Sequence, residues 1–300
     1  MEEFAGQFHL EPDDGFGSAV TLDRTAVNRS RVALQRRRVL ATRRGPRRAL
    51  TSSRTLYQMF AAGWAFDFSD DAVAVRVLLE AIADKGSGEA IAGGHSWTFG
   101  RPAGHRTFAG YAMTADGRSY KLHRGIAQEL ALTIEPNRLV GAEARFEFSD
   151  LTEVAADDPD TVAAPQTFAS GLTASVEWGG VALDAFALAL NLSRDLAPAG
   201  MTPAGVFTGA LGNPVCDITG RLSCRVPVED DDLFLGQVTR ALTIRIEAGE
   251  SSLLIECPAV VFESLQRNIV SAGAVEHAVQ FLATMPAGID TLATFSLFEP

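Results

Sequence analysis

Period-two alternation, regularly spaced turn signals and one order of strands and turns met twice predict a mainly β chain built by duplicating a single β unit. The first copy reads Gly63-Trp64-Ala65-Phe66-Asp67-Phe68, then the acidic step Ser69-Asp70-Asp71 and the apolar run 72–83. The second reads Gly220-Arg221-Leu222-Ser223-Cys224-Arg225-Val226-Pro227-Val228, then Glu229-Asp230-Asp231-Asp232 and the stretch 233–242. A strand, a turn, a strand, a kink and two long strands follow each acidic step. In the first copy these fall at 108–114, Ala115-Asp116-Gly117, 119–122, Arg124-Gly125, 126–134 and 139–148. In the second they fall at 242–246, Glu247-Ala248-Gly249, 251–256, Cys257-Pro258, 259–265 and 274–283.

Residues 1–54 form an N-terminal region with 11 arginines against 6 acids, a net of +5 within a chain of net charge −11, so the remainder carries −16. Nine of those arginines lie between Arg29 and Arg48, among them Arg36, Arg37, Arg38, Arg43 and Arg44. Such an arm has three readings: docking on an acidic face of a neighbouring subunit, a solvated loop, or a nucleic-acid contact. The acidic body offers the first a partner surface. The last lacks stacking groups, because no aromatic residue occurs from Arg24 to Arg54.

The rest of the first unit spans 55–152. Ser69-Asp70-Asp71 supplies a helix start, and Val73, Val77, Leu78 and Ile82 then fall on one face, which predicts a helix over 71–83. Residues 230–242 are its shorter counterpart. A Gly-rich insertion, 84–106, interrupts the first unit alone. Residues 153–166, with Asp157-Asp158-Pro159-Asp160, read as a linker to the second unit at 167–300. Strands are read at 187–192, 142–148, 242–246 and 253–255, the last ending near Pro258 at an edge or corner.

A content of 47% hydrophobic and 21% charged residues describes a folded chain and excludes intrinsic disorder. No apolar run approaches the ~20 residues that cross a bilayer, and Met1-Glu2-Glu3 lacks the basic start of a signal peptide. Synthesis in the cytoplasm is therefore expected. Cys216, Cys224 and Cys257 form an odd set without a CxxC, so reduced core thiols are expected in place of disulfides or a zinc site.

Catalytic patterns are incomplete. Gly94-His95-Ser96-Trp97-Thr98 approaches a nucleophile elbow, but a threonine stands where the second glycine belongs and no helix is read after it, which leaves Ser96 as a loop serine. Gly15-Phe16-Gly17-Ser18-Ala19-Val20 lacks the third glycine of a dinucleotide fingerprint. His9, His95, His105, His123 and His277 have no metal spacing. The acids Glu229–Asp232 could attract a divalent cation, although a helix start in a solvated loop explains them more simply. No catalytic, cofactor or metal site is expected.

Several landmarks resemble the tail tube proteins of long-tailed, siphovirus-like bacteriophages. They are Arg124-Gly125-Ile126, the run 130–135, Leu139-Val140 with 143–148, the run Ala187-Leu188-Ala189-Leu190-Asn191-Leu192, Ile218 to Leu222, Asp230 to Phe234, and Glu256-Cys257-Pro258. They keep the family order over about residues 50–290. The resemblance implies a β-sandwich or barrel in each unit with a flanking α-helix, no enzyme activity, and self-assembly into stacked rings that pass viral DNA. It further implies a place in the virion tail, partners in the tape measure and the tail terminator or distal tail proteins, and no membrane. Two units per chain imply trimeric, pseudo-hexameric rings; one pore-lining unit would require hexamers. Candidate ring contacts are Arg36, Arg37, Arg38, Arg43, Arg44, Asp70, Asp71, Glu229, Asp230, Asp231 and Asp232. Two other classes fit the composition: an inner tube of a contractile injection or secretion system, and a ligand-binding β-sandwich. The second would display clustered aromatics, whereas Trp64, Trp97 and Trp178 are dispersed.

Overall fold

Alternation in the sequence becomes alternation in burial. Along Gly141–Phe148 the side chains of Ala142, Ala144, Phe146 and Phe148 are buried, and along Ala274–Ala283 so are those of Val275, His277, Val279, Phe281 and Ala283. Each set shares one face because successive residues of a strand point to opposite sides.

The computed structural model describes residues 3–13, 30–44, 50–70, 72–83, 88–100, 107–113, 118–148, 150–155, 167–183, 185–201, 207–227, 231, 232, 234, 239–271 and 274–299. The first half contains β1 (Glu3–Asp13), β2 (Ser30–Arg44), β3 (Leu50–Asp67), α1 (Ala72–Ala83), β4 (Glu89–Ile91), β5 (Gly94–Phe99), β6 (Thr107–Met113), β7 (Ser119–Ile134), β8 (Gly141–Phe148) and β9 (Asp150–Val154). The second contains β10 (Ala174–Trp178), β11 (Val181–Ala182), β12 (Ala185–Met201), β13 (Phe207–Pro227), β14 (Arg240–Ala248), β15 (Ser251–Ser271), β16 (Ala274–Ala283) and β17 (Ala293–Phe298). The fold is mainly β, and among the described strands every pairing is antiparallel.

One order of pairing occurs twice. In the first half it runs β1 to β6, β6 to β7, β7 to β8, β8 to β3 and β3 to β2. In the second it runs β10 to β14, β14 to β15, β15 to β16, β16 to β13 and β13 to β12. Short strands add to matching places, β9 on the start of β7 and β17 on the start of β15. The expected pairs of strands around each kink are single long strands. β7 bends at Arg124, whose φ is 54°, and β15 bends near Pro258, where the register against β14 shifts between Arg240 and Leu242. Each bent strand leaves one set of neighbours and joins another, as a bulge allows at a sandwich corner.

Register also shows how the halves align. Phe146 faces Ala62 in the first half, and Phe281 faces Gly220 in the second. Ala62 therefore corresponds to Gly220, one residue away from the Gly63 at which the sequence alignment begins the first copy. With period two, that one-residue slip would turn every side chain of the strand to the wrong face.

α1 covers one side of the first half, near β1, β5, β7 and β17. Its buried face carries Val75, Leu78, Leu79 and Ile82, spaced three and four apart. Leu78 and Ile82 were expected there; Val77 is only half-buried, and Val73's side chain lies outside the described part. The second flanking helix is not found among the described residues: Asp231-Asp232 form a 3₁₀ turn in which Phe234 N–H donates to Asp231 C=O at 3.0 Å. The insertion 84–106 is no mere loop, since β4 and β5 form a hairpin within it and β5 pairs with β17. The linker starts later than expected, because Glu153 and Val154 belong to β9 opposite Tyr120 and Ser119. Residues 156–166 lie outside the described part.

The halves join along a strand seam, with Glu129–Ile134 of β7 paired to Leu188–Ser193 of β12. The second half's core stacks Trp178 on Phe262, with ring centroids 4.8 Å apart, and on Phe234 at 5.8 Å. In the first half Trp64 stacks on Phe66 at 4.5 Å.

Candidate functional site

The arginine-rich segment is strand in its backbone over residues 30–44, where a loop was one of the three readings. Arg36, Arg37 and Arg38 pair with Phe60, Met59 and Gln58, Arg43 with Ser52 and Arg44 with Leu50. β3 meets β8 only from Phe60 onward, so beyond that point β2 and β3 pair with each other alone among the described strands. A two-stranded arm results, and its first strand carries these arginines. The second half has the matching arm, where Asp195–Met201 of β12 pairs with Phe207–Asn213 of β13 beyond the reach of β16. That arm contains no arginine. The arginine side chains themselves lie outside the described part.

In the first acidic step Asp70 bonds across to the second half. Asp70 Oδ1 accepts a hydrogen bond from Thr167 N–H at 3.0 Å, and Asp70 N–H donates to Thr167 C=O at 2.9 Å. Its own C=O accepts from Ala72 N–H at 2.8 Å and from Ser251 Oγ at 3.3 Å. Asp70 thus ties the start of α1 to the far end of the linker and to the β14–β15 turn. Asp71, Glu229 and Asp230 fall outside the described residues.

Asp231 is buried beneath β15 and β16. Arg267 Nε donates to its two oxygens at 3.0 and 2.9 Å, and an Arg267 terminal nitrogen also reaches Oδ2. His277, wholly buried, places Nε2 2.9 Å from Oδ1 and stacks on Phe234 with centroids 4.5 Å apart. Hydrogen bonding to Arg267 holds the Asp231 carboxyl below the usual range, and the same bond raises the guanidinium's proton affinity. Burial lowers the proton affinity of His277, with the Asp231 charge opposing it. The carboxylate proposed for a cation or a ring contact is therefore engaged by side chains of its own half. Asp232, beside it, is exposed. Arg267 and His277 were not singled out as partners in the sequence, because only the pairing of β15 with β16 brings them to Asp231.

A profile of the phage tail tube protein family matches residues 12–286. The chain belongs to that family. No curated protein matches it. Tail tube proteins are structural components that assemble into a tube within the phage tail, which puts this family member in the virion tail.

The remaining chemical candidates fit a structural tail tube protein. Ser96 lies in β5 opposite Ser296 of β17, with the hydroxyl oxygens 3.4 Å apart, so the elbow-like motif is an antiparallel strand and not a strand-to-helix turn. Gly15 to Val20 lies outside the described residues. Cys216, Cys224 and Cys257 are buried and in no disulfide, as core thiols should be. Burial pushes the Cys224 thiol, beside Glu276, up to about 12, and burial alone pushes Cys257 up to about 12. Among the described residues no cluster of three His, Cys, Asp or Glu side chains is placed to hold a metal, and no helix is long and apolar enough to cross a membrane.

Proposed function

We propose that this chain is the major tail tube subunit of a siphovirus-like phage, that it closes into rings, and that stacked rings form the channel for viral DNA. The observation that carries this reading is the repeated pairing order, together with the strand seam that sets two β units side by side in one chain. Ring closure then removes the free sheet edges that a lone pair of units leaves. With two units in each chain, three chains give a pseudo-six-fold ring.

The charge balance suits a conduit. Double-stranded DNA carries about one negative charge per ~1.7 Å of its axis, so a basic wall would bind it and hold it. Outside residues 1–54 this chain has a net charge of −16, from −11 overall less the +5 of that region. DNA would pass without specific binding. Synthesis in the host cytoplasm, a tape measure protein inside the tube and terminator and distal tail proteins at its ends belong to the same reading.

Electron microscopy of the purified chain in negative stain, paired with native mass spectrometry, tests it. Rings or tubes with three chains per ring are the expected result. Six whole chains per ring would refute two units per chain and leave the tube itself standing, whereas a chain that stays monomeric at every concentration would overturn ring formation.

A further inference from the structure

The internal seam has a matching pair of edges, one of which meets no strand among the described residues and the other only β1 at one end. Bulges fix the correspondence between the halves. The register of β7 against β8 shifts between Ala127 and Glu129, opposite Phe146, and that of β15 against β16 shifts between Phe262 and Ser264, opposite Phe281. Residues 129–134 therefore correspond to 264–269. On the other side, Phe146 leads through Ala62 to Leu34, and Phe281 leads through Gly220 to Leu190. Leu34 thus corresponds to Leu190, and the sequences agree, with VALQRRRVLA at 32–41 against LALNLSRDLA at 188–197.

The seam pairs Glu129–Ile134 with Leu188–Ser193, so its counterparts are 264–269 of β15 and 32–37 of β2. Among the described strands, residues 261–271 of β15 pair with β16 alone, and the outer side of β2 carries β1 only at Ser30–Ala33. Exposure marks what is missing. Ile134 is 1% exposed within the seam, whereas its counterpart Ile269 is 69% exposed. An open strand edge is a template for another strand.

We propose that the outer edge of β15 in one copy pairs antiparallel with the outer edge of β2 in the next, in the register of the internal seam. Arg37 then faces Ser264, Arg36 faces Leu265, Gln35 faces Gln266 and Leu34 faces Arg267. Phe4 and Glu3 already pair with Val32 and Ala33, so the new ladder is centred on these four pairs. The contact is heterologous, joining unlike edges, and it propagates around a ring in place of a two-fold dimer. It rests on the ring-forming reading and supplies the surface that reading needs.

Disulfide trapping in the full chain tests the register. Directly opposed residues in an antiparallel ladder have Cα atoms about 4.5 or 5.5 Å apart, within the span of a disulfide. The variants Gln35→Cys with Gln266→Cys, and Arg36→Cys with Leu265→Cys, should each give a covalent ladder on oxidation, read on a non-reducing denaturing gel. Gln35→Cys with Leu265→Cys, whose side chains point to opposite faces, should give at least tenfold less. The buried native thiols contribute little background. In-register variants that form rings by microscopy yet cross-link no better than the mismatched pair would overturn the edge assignment while ring formation stands. A dimer from Gln266→Cys alone would instead mean that β15 edges meet each other, and would overturn it too. Absence of rings in the unaltered chain would fail the ring-forming reading first. Where cysteine variants do not fold by circular dichroism, Ser264→Arg decides: exposed in the chain and set opposite Arg37 in the ladder, it should keep the monomer folded and raise the concentration needed for rings at least tenfold, and rings that form unchanged would overturn the proposal.

Discussion

Arg267 and His277 stand directly opposite each other on β15 and β16, and both reach the buried carboxylate of Asp231. Burial lowers the proton affinity of His277 below its ordinary value of 6.5. Below that pH the unfolded chain takes up a proton that the folded chain resists, so stability is lost as pH falls from 6.5 towards the lower folded value. Asp231 adds a second loss in the same direction, beginning below its ordinary value of 3.8. The urea midpoint should therefore be lower at pH 5.5 than at pH 7.5. In His277→Ala, which installs the residue found at the corresponding Ala142, that difference should shrink; an unchanged difference would assign the effect to other groups.

Glycine makes room for an aromatic ring in each half. A Cβ on Gly125 would stand 2.2 Å from Phe148 Cε1, and one on Gly220 would stand 2.2 Å from Phe281 Cζ. Both rings are fully buried, so neither can yield cheaply. Neither glycine has a positive φ, and an unobstructed Gly→Ala change would gain roughly 0.4–1 kcal/mol by restricting the unfolded chain. Overpacking reverses that sign, and Gly125→Ala or Gly220→Ala should each lose about 1–3 kcal/mol in denaturant unfolding. Gly141→Ala is the control, since nothing lies within 4 Å of its Cβ position and no loss is expected.

A side chain of the first half also binds the backbone of the second. Asp70 Oδ1 receives the Thr167 N–H at 3.0 Å across the linker. Asp70→Ala removes the acceptor and should cost about 1 kcal/mol, while Asp70→Asn keeps an oxygen there and should lie close to the parent. Equal losses in the two variants, measured by urea unfolding, would show that the charge matters more than the hydrogen bond.

The parts legible in the sequence were those where one face is buried. β8 and β16, and the middle of β14, are legible because their alternation is unbroken, although β14 extends two residues further at each end than the reading 242–246. β2 was hidden, since the arginines at 36–38 interrupt the apolar period started by Val32 and Leu34. Its resemblance to 188–197 was the available signal, and it lay outside the stretch in which the repeat was sought. Strands such as β5, β10 and β17 are short and gain partners from distant sequence, which no local pattern encodes. Asp231 illustrates the same limit in the site. Its position in an acidic run reads as solvated, yet residues 36 and 46 positions onward close over it once β15 and β16 pair.

Arg36, Arg37, Arg38, Arg43 and Arg44 lie on β2, largely where it extends past the body of the first half, and the matching arm of the second half has no arginine. If the arm docks on acidic surface of a neighbouring subunit or ring, reversing these five charges should block assembly and leave the monomer folded. Each exposed ion pair contributes only about 0–1 kcal/mol. Several together give a few kcal/mol, or roughly a hundredfold in association at 1.4 kcal/mol per decade. Salt should act alike, because the Debye length contracts from about 8 Å at physiological ionic strength to about 3 Å at 1 M. Sedimentation reports assembly and circular dichroism reports folding, so the two effects separate. Assembly unchanged after all five reversals, and insensitive to salt, would sink the docking role and return the arm to a purely structural extension of the sheet.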